Sequence, residues 1–437
     1  MARIGNWQSV ACSVNPEPAA FCPRTQLIAM PIVATDNHGA HIRCDALVRI
    51  TEPIIDFEFS EEQNMLRDSV RRVMDKVATA EYIREHDQAR AYPHALYDAW
   101  VELGLLRMPF PEQYGGLGGN AVDMMIIAEE IARKGYDFYA AYSAGIFTAH
   151  TLLQKGTDEQ RAKWLPAFFG GDIKFTTSMS EPGAGSDVGA MRTQAVLDGD
   201  EWVINGQKLW ATGAGVKGNV ISLFVKTDPK AHYRKGISLF LVPNDTPGVE
   251  CRKLDLLGRS CVGTYEVFLK DVRVPREQLV GGVNNGWECL LAGIQYERLT
   301  TAAGYYGCSQ SVIDMALAYA KERKQFGRPI GTNQVIAHAF ADMQTEVDAA
   351  RLLTWRAAWM IAKGQDALRE ISMAKVFGSE TYVKTAAAAM QIMGAYGYNM
   401  EFDMQRLFRD SRSVTIGAGT SQMQRNLIAG LMGLKVQ

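Results

Sequence analysis

The hydrophobic period of this chain changes twice along its length. From Asp56 apolar residues recur at helical spacing, at Met65, Val70, Val73, Met74 and Val77. Ser60 stands just ahead of that run with Gln63 three residues later, the arrangement of a capping box. Helical patterns continue over 95–105, 121–133 and 147–153, interrupted by Gly and Pro over 109–119. Then come short runs of β-branched and aromatic residues at 202–204, 220–225, 237–242 and 265–269. Between them lie turn signals such as Asn205-Gly206 and Pro247-Gly248. From Glu288 the 3.6 period returns in Ala/Leu/Met-rich segments at 288–322, 334–363, 367–393 and 420–433. Helices, then strands, then helices imply an α+β chain and not a βαβ array. The expected domains are helical over 55–174, β over 175–286 and helical over 287–437.

Residues 1–54 read differently. They carry three of the seven cysteines and scattered Pro, with no sustained period. The apolar run 27–34 is broken by Pro31 and lacks a basic flank, so a secretory signal is disfavoured. The segment is expected to be a disordered extension or the product of a start assigned too far upstream, and expendable.

Bulk features exclude several classes of function. The formal net charge is -2 and no stretch is a Lys/Arg block, so nucleic-acid binding has no electrostatic footprint. No apolar run approaches the roughly 20 residues that span a bilayer. The seven cysteines include no CxxC pair and no His/Cys cluster that would hold zinc. An odd, scattered set reads as free thiols in a reducing, cytoplasmic setting.

Two glycine-rich stretches bear on chemistry. Residues 213–218 match GxGxxG, but 219–225 reads as a strand where a dinucleotide fingerprint needs a helix. Residues 182–187, Pro-Gly-Ala-Gly-Ser-Asp, form a tight turn with successive backbone N–H groups, a nest suited to phosphate or simply a turn.

The segment 175–187 that ends in this turn resembles a flavin-holding segment of the acyl-CoA dehydrogenase family, and the resemblance extends over 55–437. It implies an N-terminal helical domain, a central β-barrel or sandwich that holds FAD, and a C-terminal four-helix bundle. By this resemblance Thr177, Met179 and Ser180 lie at the isoalloxazine edge, and Ser186 lies near the pyrophosphate and substrate. A second segment, 204–213, brings Trp210 onto one flavin face and Thr212 near N5. Three further segments match. Residues 322–330 carry Arg323 and Phe326, followed by Gln334; 391–398 carry Gln391, Gly394 and Ala395, the last replacing the usual Gly; 409–422 carry Thr420 and Gln422. In the family the Arg323 and 391–398 positions reach the FAD of a neighbouring subunit, which implies a homo-oligomer, a dimer of dimers.

The resemblance also locates a base, with a departure. Medium- and short-chain members place the catalytic Glu two residues before the Thr of the closing motif, and here that position is Ala418. Isovaleryl-type members place it just before an Arg on the first long C-terminal helix, where this chain has Gln295-Tyr296-Glu297-Arg298. Glu297 is therefore the expected base for the α-proton, while the β-hydride passes to flavin N5. Ala418 is expected to act through its backbone N–H on the thioester carbonyl. Arg298 is expected beside the CoA moiety and Tyr296 beside substrate. Where glutaryl-type members carry an Arg for a distal carboxylate, residues 135–139 have none, which disfavours a dicarboxyl substrate. The aromatics Tyr136, Phe138, Tyr139 and Tyr142 shorten the acyl pocket or are ordinary packing. The implied reaction is FAD-dependent dehydrogenation of an acyl-CoA to its 2-enoyl-CoA, with electrons passing to an electron-transferring flavoprotein. A reductase or non-oxidative lyase on the same scaffold, and a silent CoA-binding protein, are the alternatives.

Overall fold

The computed structural model describes residues 58–435 and, for backbone only, four short strands before them. Those are β1 (Ile28–Ala29), β2 (Ile32–Thr35), β3 (His41–Cys44) and β4 (Leu47–Val48). β1 pairs β4 and β2 pairs β3, both antiparallel. These pairings are strand structure where the sequence showed no strand period. The rest of the expectation for 1–54 lies outside the described residues, and residues 1–59 form a unit of their own.

The second unit begins at Ser60. Six helices come first: α1 (Glu61–Val77), α2 (Ala80–Ala89), α3 (His94–Glu102), α4 (Ala121–Ala132), α5 (Tyr136–Lys155) and α6 (Asp158–Phe169). Ser60 and Gln63 close the capping box that starts α1. α5 runs eleven residues further toward its N-terminus than the apolar pattern indicates. It packs against both the C-terminal helices and the sheet, so nearly every position is buried and no polar stripe marks a period.

Eight strands follow: β5 (Lys174–Ser178), β6 (Gln194–Asp198), β7 (Glu201–Thr212), β8 (Asn219–Lys226), β9 (Ile237–Pro243), β10 (Val249–Lys253), β11 (Thr264–Pro275) and β12 (Leu279–Val280). The order is β10-β11-β7-β6-β8-β9-β12, with β5 parallel to β8. The two halves meet through one residue pair, Gln194 with Lys226. Between them Trp202, Ile204, Leu223, Phe240 and Val267 share one apolar core, so the sheet folds on itself as a sandwich. The strand after residues 213–218 is β8, which rules out a dinucleotide fingerprint there.

Asn205-Gly206 is not a turn. It lies inside β7, opposite a bulge in β11 where the register shifts between Leu269 and Val272. Asn205 Nδ2 donates to Asp271 Oδ1 (3.1 Å), and the Asp271 N–H donates back to Asn205 Oδ1 (2.8 Å). Gly206 takes φ 149° because a Cβ there would lie 2.5 Å from Thr193 Oγ1 and 2.7 Å from its Cα.

The C-terminal layer is built from α7 (Gly286–Glu322), α8 (Gln334–Ala362) and α9 (Leu368–Met393), with the small pair β13 (Lys324–Gln325) and β14 (Arg328–Pro329) after α7. Three shorter helices complete it: α10 (Ala395–Tyr398), α11 (Met404–Ser411) and α12 (Ser421–Leu431). α7, α8, α9 and α12 pack together as a bundle, and α7 also packs on α4 and α5. Among the described residues no helix is long and apolar enough to cross a membrane. Cys251, Cys261, Cys289 and Cys308 are free thiols.

The bulge yields a direct check. Gly206→Val forces a Cβ into the Thr193 backbone and strains φ, and is expected to cost about 1–3 kcal/mol. A lowered denaturant midpoint at unchanged slope reports it, whereas an unchanged midpoint contradicts this β7–β11 register.

Candidate active site

β5 ends at Ser178, and the chain passes through Met179, Ser180 and Glu181 into the glycine-rich turn. A buried ion pair fixes this exit. Lys208 Nζ, fully buried on β7, donates to Glu181 Oε1 (2.8 Å) and to the Met179 carbonyl (3.0 Å). The Glu181 carboxylate also accepts the N–H groups of Arg192 (2.6 Å) and Thr193 (3.0 Å). Leu209 N–H donates to Ser180 O at 2.9 Å. Burial pulls the Lys208 ammonium down to about 8 against the attraction of Glu181, so the pair stays ionised at neutral pH. Burial acts to raise the Glu181 carboxyl, but the charge and hydrogen bond of Lys208 outweigh it and hold it low. The turn above is open: Gly183 and Gly185 have nothing within 4 Å of a Cβ position, and Ser186 is exposed.

Trp210 is not core. Its φ is +67°, at a second register shift between β7 and β11, and its ring is 54% exposed. Thr212 follows, its carbonyl accepting from Thr176 Oγ1 (2.7 Å) and its hydroxyl from Arg259 Nη2 (3.1 Å). Thr177 Oγ1 is buried with no hydrogen-bond partner. A half-exposed indole at a bulge of β7, an orphaned hydroxyl near the end of β5 and an open turn of N–H groups fit FAD: a planar ring with a polar edge, leading to phosphates.

Glu297 lies on α7, half-buried. Among the described residues, no hydrogen bond or ion pair holds its carboxylate. Burial pushes its carboxyl above the usual range, opposed by the charges of Arg298, Lys375 and Arg259. Arg298 acts on it by charge without an ion-pair contact. Instead Arg298 Nε donates to Ala418 O (3.3 Å), as does Gln424 Nε2 (3.2 Å). Lys375, buried on α9, donates to Val414 O (3.2 Å) and Gly419 O (2.8 Å). Burial and the charge of Arg298 bring its ammonium down to about 8. Three side chains thus hold the loop before α12 by its carbonyls. Ala418 sits there at φ +53°, in the left-handed region, and among the described residues no acceptor takes its N–H. Thr420 caps α12, its hydroxyl accepting Met423 N–H (3.1 Å), and Gln422 is exposed on the first turn.

Arg259 connects the two halves, bonding Thr212 on the sheet while its charge acts on Glu297. Tyr296 does not join them. Its ring stacks on buried His150 (3.7 Å between centroids) and lines a recess with Gln154, Gln295 and Gly364. Adjacent helix positions point about 100° apart, so Tyr296 and Glu297 serve different faces of α7. Arg323, Phe326, Gln334, Gln391, Gly394 and Ala395 are all exposed, and the Arg323 guanidinium lies 5.5 Å from the centre of the Tyr396 ring. Arg323 follows Glu297 by 26 residues along α7, roughly 39 Å at 1.5 Å per residue.

Sequence reasoning assigned no role to Arg259, Lys375, Gln424 or the Lys208–Glu181 pair. Glu181 and Lys208 stand inside the segments 175–187 and 204–213 that resemble flavin-holding ones, and no local pattern marks the other three. Lys208→Met leaves Glu181 buried and unpaired, an expected loss of about 3–5 kcal/mol, with weaker flavin retention. Adding Glu181→Gln is expected to recover part of the stability. Urea unfolding and flavin absorbance read both, and an unchanged midpoint in the single variant contradicts the role of the pair.

Family profiles match the chain in three consecutive pieces: acyl-CoA dehydrogenase, N-terminal domain over 60–172, middle domain over 176–272 and C-terminal domain over 284–432. The chain is 37% identical to the probable acyl-CoA dehydrogenase YngJ of Bacillus subtilis (strain 168), over 86% of this chain and 99% of that one. It is 36% identical to the caffeyl-CoA reductase-Etf complex subunit CarC of Acetobacterium woodii, over 86% and 99%. Butyryl-CoA dehydrogenase from Megasphaera elsdenii superposes with a TM-score of 0.83 at 28% identity, over 87% of this chain and 100% of that one. This chain therefore belongs to the acyl-CoA dehydrogenase family, FAD-dependent oxidoreductases of acyl-CoA thioesters.

Proposed function

We propose that this protein dehydrogenates an acyl-CoA to the 2-enoyl-CoA, with Glu297 as the base that takes the α-proton. The supporting observation is the pairing of a carboxylate that no side chain engages with an Ala418 N–H that no protein acceptor takes, the two bridged by Arg298. The thioester carbonyl accepts the Ala418 N–H, which stabilises negative charge on oxygen and acidifies the α-carbon. Glu297 receives that proton, and the C–H electron pair becomes the new double bond. FAD, when bound, accepts the β-hydrogen as hydride, so two electrons leave the substrate. Arg298 and Lys375 keep Glu297 ionisable in a half-buried place and hold the Ala418 loop, so base and N–H keep their spacing.

Trp210, Thr212, Thr177, Met179 and Ser180 would hold the flavin ring, Ser186 would lie toward the pyrophosphate and substrate, and Thr420 and Gln422 would contact FAD. Arg323 caps the far end of α7 from Glu297, and Phe326, Gln334, Gln391, Gly394 and Ala395 stand on elements that follow it, so they are not assigned to that same FAD. In this reading they hold the FAD of a neighbouring subunit, in a dimer of dimers with one non-covalent FAD per chain. Phe326, fully exposed, suits such an interface. An electron-transferring flavoprotein would be the electron partner, as the name of the CarC relative implies for that protein. That relative, a reductase, favours a second reading: the same residues run the reaction backward, with Glu297 returning a proton to Cα.

Glu297→Gln is expected to lower anaerobic flavin reduction by acyl-CoA about 10²–10⁴-fold with FAD still bound. Ala418→Glu adds no new backbone strain, since φ is already positive, and in the Glu297→Gln background it is expected to restore part of the rate. Because burial raises the Glu297 carboxyl, the ionised base is present above that raised value. Reduction is expected to fall as pH drops through a value above the ordinary carboxylate range. Flavin reduction at the parent rate in Glu297→Gln contradicts the assignment.

A further inference from the structure

We propose that Asp137 and Asp410 form a buried carboxyl pair that holds one proton, and that this proton keeps the loop between β10 and β11 seated against the flavin side of the active site. The two are positioning residues for the reaction proposed above. The link to flavin rests on the reading of Thr212 as a flavin contact.

The pair is short of one donor. Asp137, in the first turn of α5, uses both oxygens: Oδ2 accepts the Cys261 N–H (2.5 Å) and Oδ1 accepts the Val262 N–H (3.2 Å). Asp410, on α11, accepts the Arg259 N–H at Oδ1 (2.8 Å), while its Oδ2 is buried with no partner. Both side chains are buried, and among the described residues no cation stands within ion-pair distance of either. A charged oxygen buried without a donor is costly. A proton on Asp410 Oδ2 removes that cost, so that three backbone N–H groups and one proton serve four oxygens. Burial and the like charge of Asp137 both favour the proton and bring the Asp410 carboxyl up to about 7.

The surrounding groups are mixed in charge. Arg406, one turn earlier on α11, acts to ionise Asp410, and Arg259 does the same to Asp137. Their guanidinium bonds go elsewhere, from Arg406 Nη2 to Lys134 O (3.2 Å) and from Arg259 Nη2 to Thr212 Oγ1 (3.1 Å). Asp87 on α2 adds negative charge and is itself paired with Arg409 (2.7 Å). Lys253 on β10 faces Asp137. Cys261 in the loop, Cys308 on α7, Tyr382 on α9 and Tyr136 on α5 are all raised by burial and stay neutral. One rival arrangement is specific: Arg406 Nε and Nη1 are also buried without partners, and a water bridging them to Asp410 would leave both carboxylates ionised.

The proton matters through the loop. Residues 259–262 carry all three N–H groups, and Arg259, at φ +62°, bonds Thr212, two residues past Trp210 on β7. With the proton in place the loop is held from α5 and α11 together. When the proton leaves to solvent, two like charges face the same four residues, and the seat of Arg259 on Thr212 loosens. A carboxyl raised in the folded state stabilises the fold while protonated. That contribution is full below the ordinary carboxylate range and is lost as pH rises through about 7.

The test uses FAD-loaded protein and Asp410→Asn, which keeps the acceptor for Arg259 N–H and cannot ionise. Infrared spectra of the parent are expected to show a protonated-carboxyl band that Asp410→Asn lacks and that fades as pH rises through about 7. In urea, the unfolding constant of the parent relative to the variant is expected to rise about tenfold per pH unit from roughly pH 5 to 7 and then level off. The FAD dissociation constant of the parent is expected to rise severalfold above that range, and that of Asp410→Asn to stay flat. A parent and variant with the same carboxyl bands, and a stability difference constant with pH, overturn the proposal in favour of the Arg406 water bridge. If Asp410→Asn does not fold, Asp137→Asn decides: removing the like charge is expected to move the fade down by about one pH unit or more, and an unmoved fade overturns the pair. A band that fades with no change in FAD affinity overturns the positioning role. Failure of the parent to bind FAD at any pH overturns the flavin reading instead, while the infrared and urea measurements still decide the pair.

Discussion

Two buried carboxylates tie the layers of this protein together where its chemistry is placed. Asp137, in the first turn of α5, accepts the N–H groups of Cys261 and Val262 at 2.5 and 3.2 Å. Asp410, on α11, accepts the Arg259 N–H at 2.8 Å. One loop of the β-domain is thus held from both sides, by the first helical layer and by the last. Burial raises both carboxyls, and for Asp410 the charge of Asp137 adds to it, bringing it to about 7. Such groups are costly to bury and are retained where geometry depends on them. Here the geometry is the approach of the sheet, with Trp210 and Thr212, to the helix that carries Glu297.

A second device acts on the other wall. Arg298, Lys375 and Gln424 all donate to carbonyls of the loop before α12. With the carbonyls engaged, the N–H of Ala418 is left for a ligand, and the left-handed φ of that residue is the local strain accepted for it. The side chain at 418 has no acid–base part to play. A carboxylate one helix away can approach the same substrate carbon, and the two cations beside it keep it ionisable despite burial. On the proposed assignment, base and oxyanion donor are separable and sit on different elements, Glu297 on α7 and Ala418 in the loop before α12.

Much of this was legible in the sequence, for reasons that differ by element. α7, α8 and α9 begin and end within two residues of the period change. α5 was legible only in its last part, because burial on all sides erases the stripe. Asn205-Gly206 carries turn chemistry that the strand uses for a bulge, and only the partner strand reveals which. Glu297 and Trp210 were singled out through motif register; the structure leaves the Glu297 carboxylate without a hydrogen-bond partner among the described residues and the Trp210 side chain half-exposed. Arg259 and Lys375 were not legible. Their partners lie 47 and 44 residues away, at Thr212 and Gly419, and no local pattern encodes such meetings.

The central claim is that Glu297 takes the α-proton. It can be isolated from hydride transfer with 3-thiabutyryl-CoA, a thioester that has α-hydrogens but sulfur at the β-position. Exchange of its α-hydrogens in D₂O, followed by NMR with FAD-loaded enzyme, reads the base alone. The account predicts exchange with the parent protein and a loss of about 10²-fold or more in Glu297→Gln. Exchange at the parent rate in that variant contradicts it and places the base elsewhere.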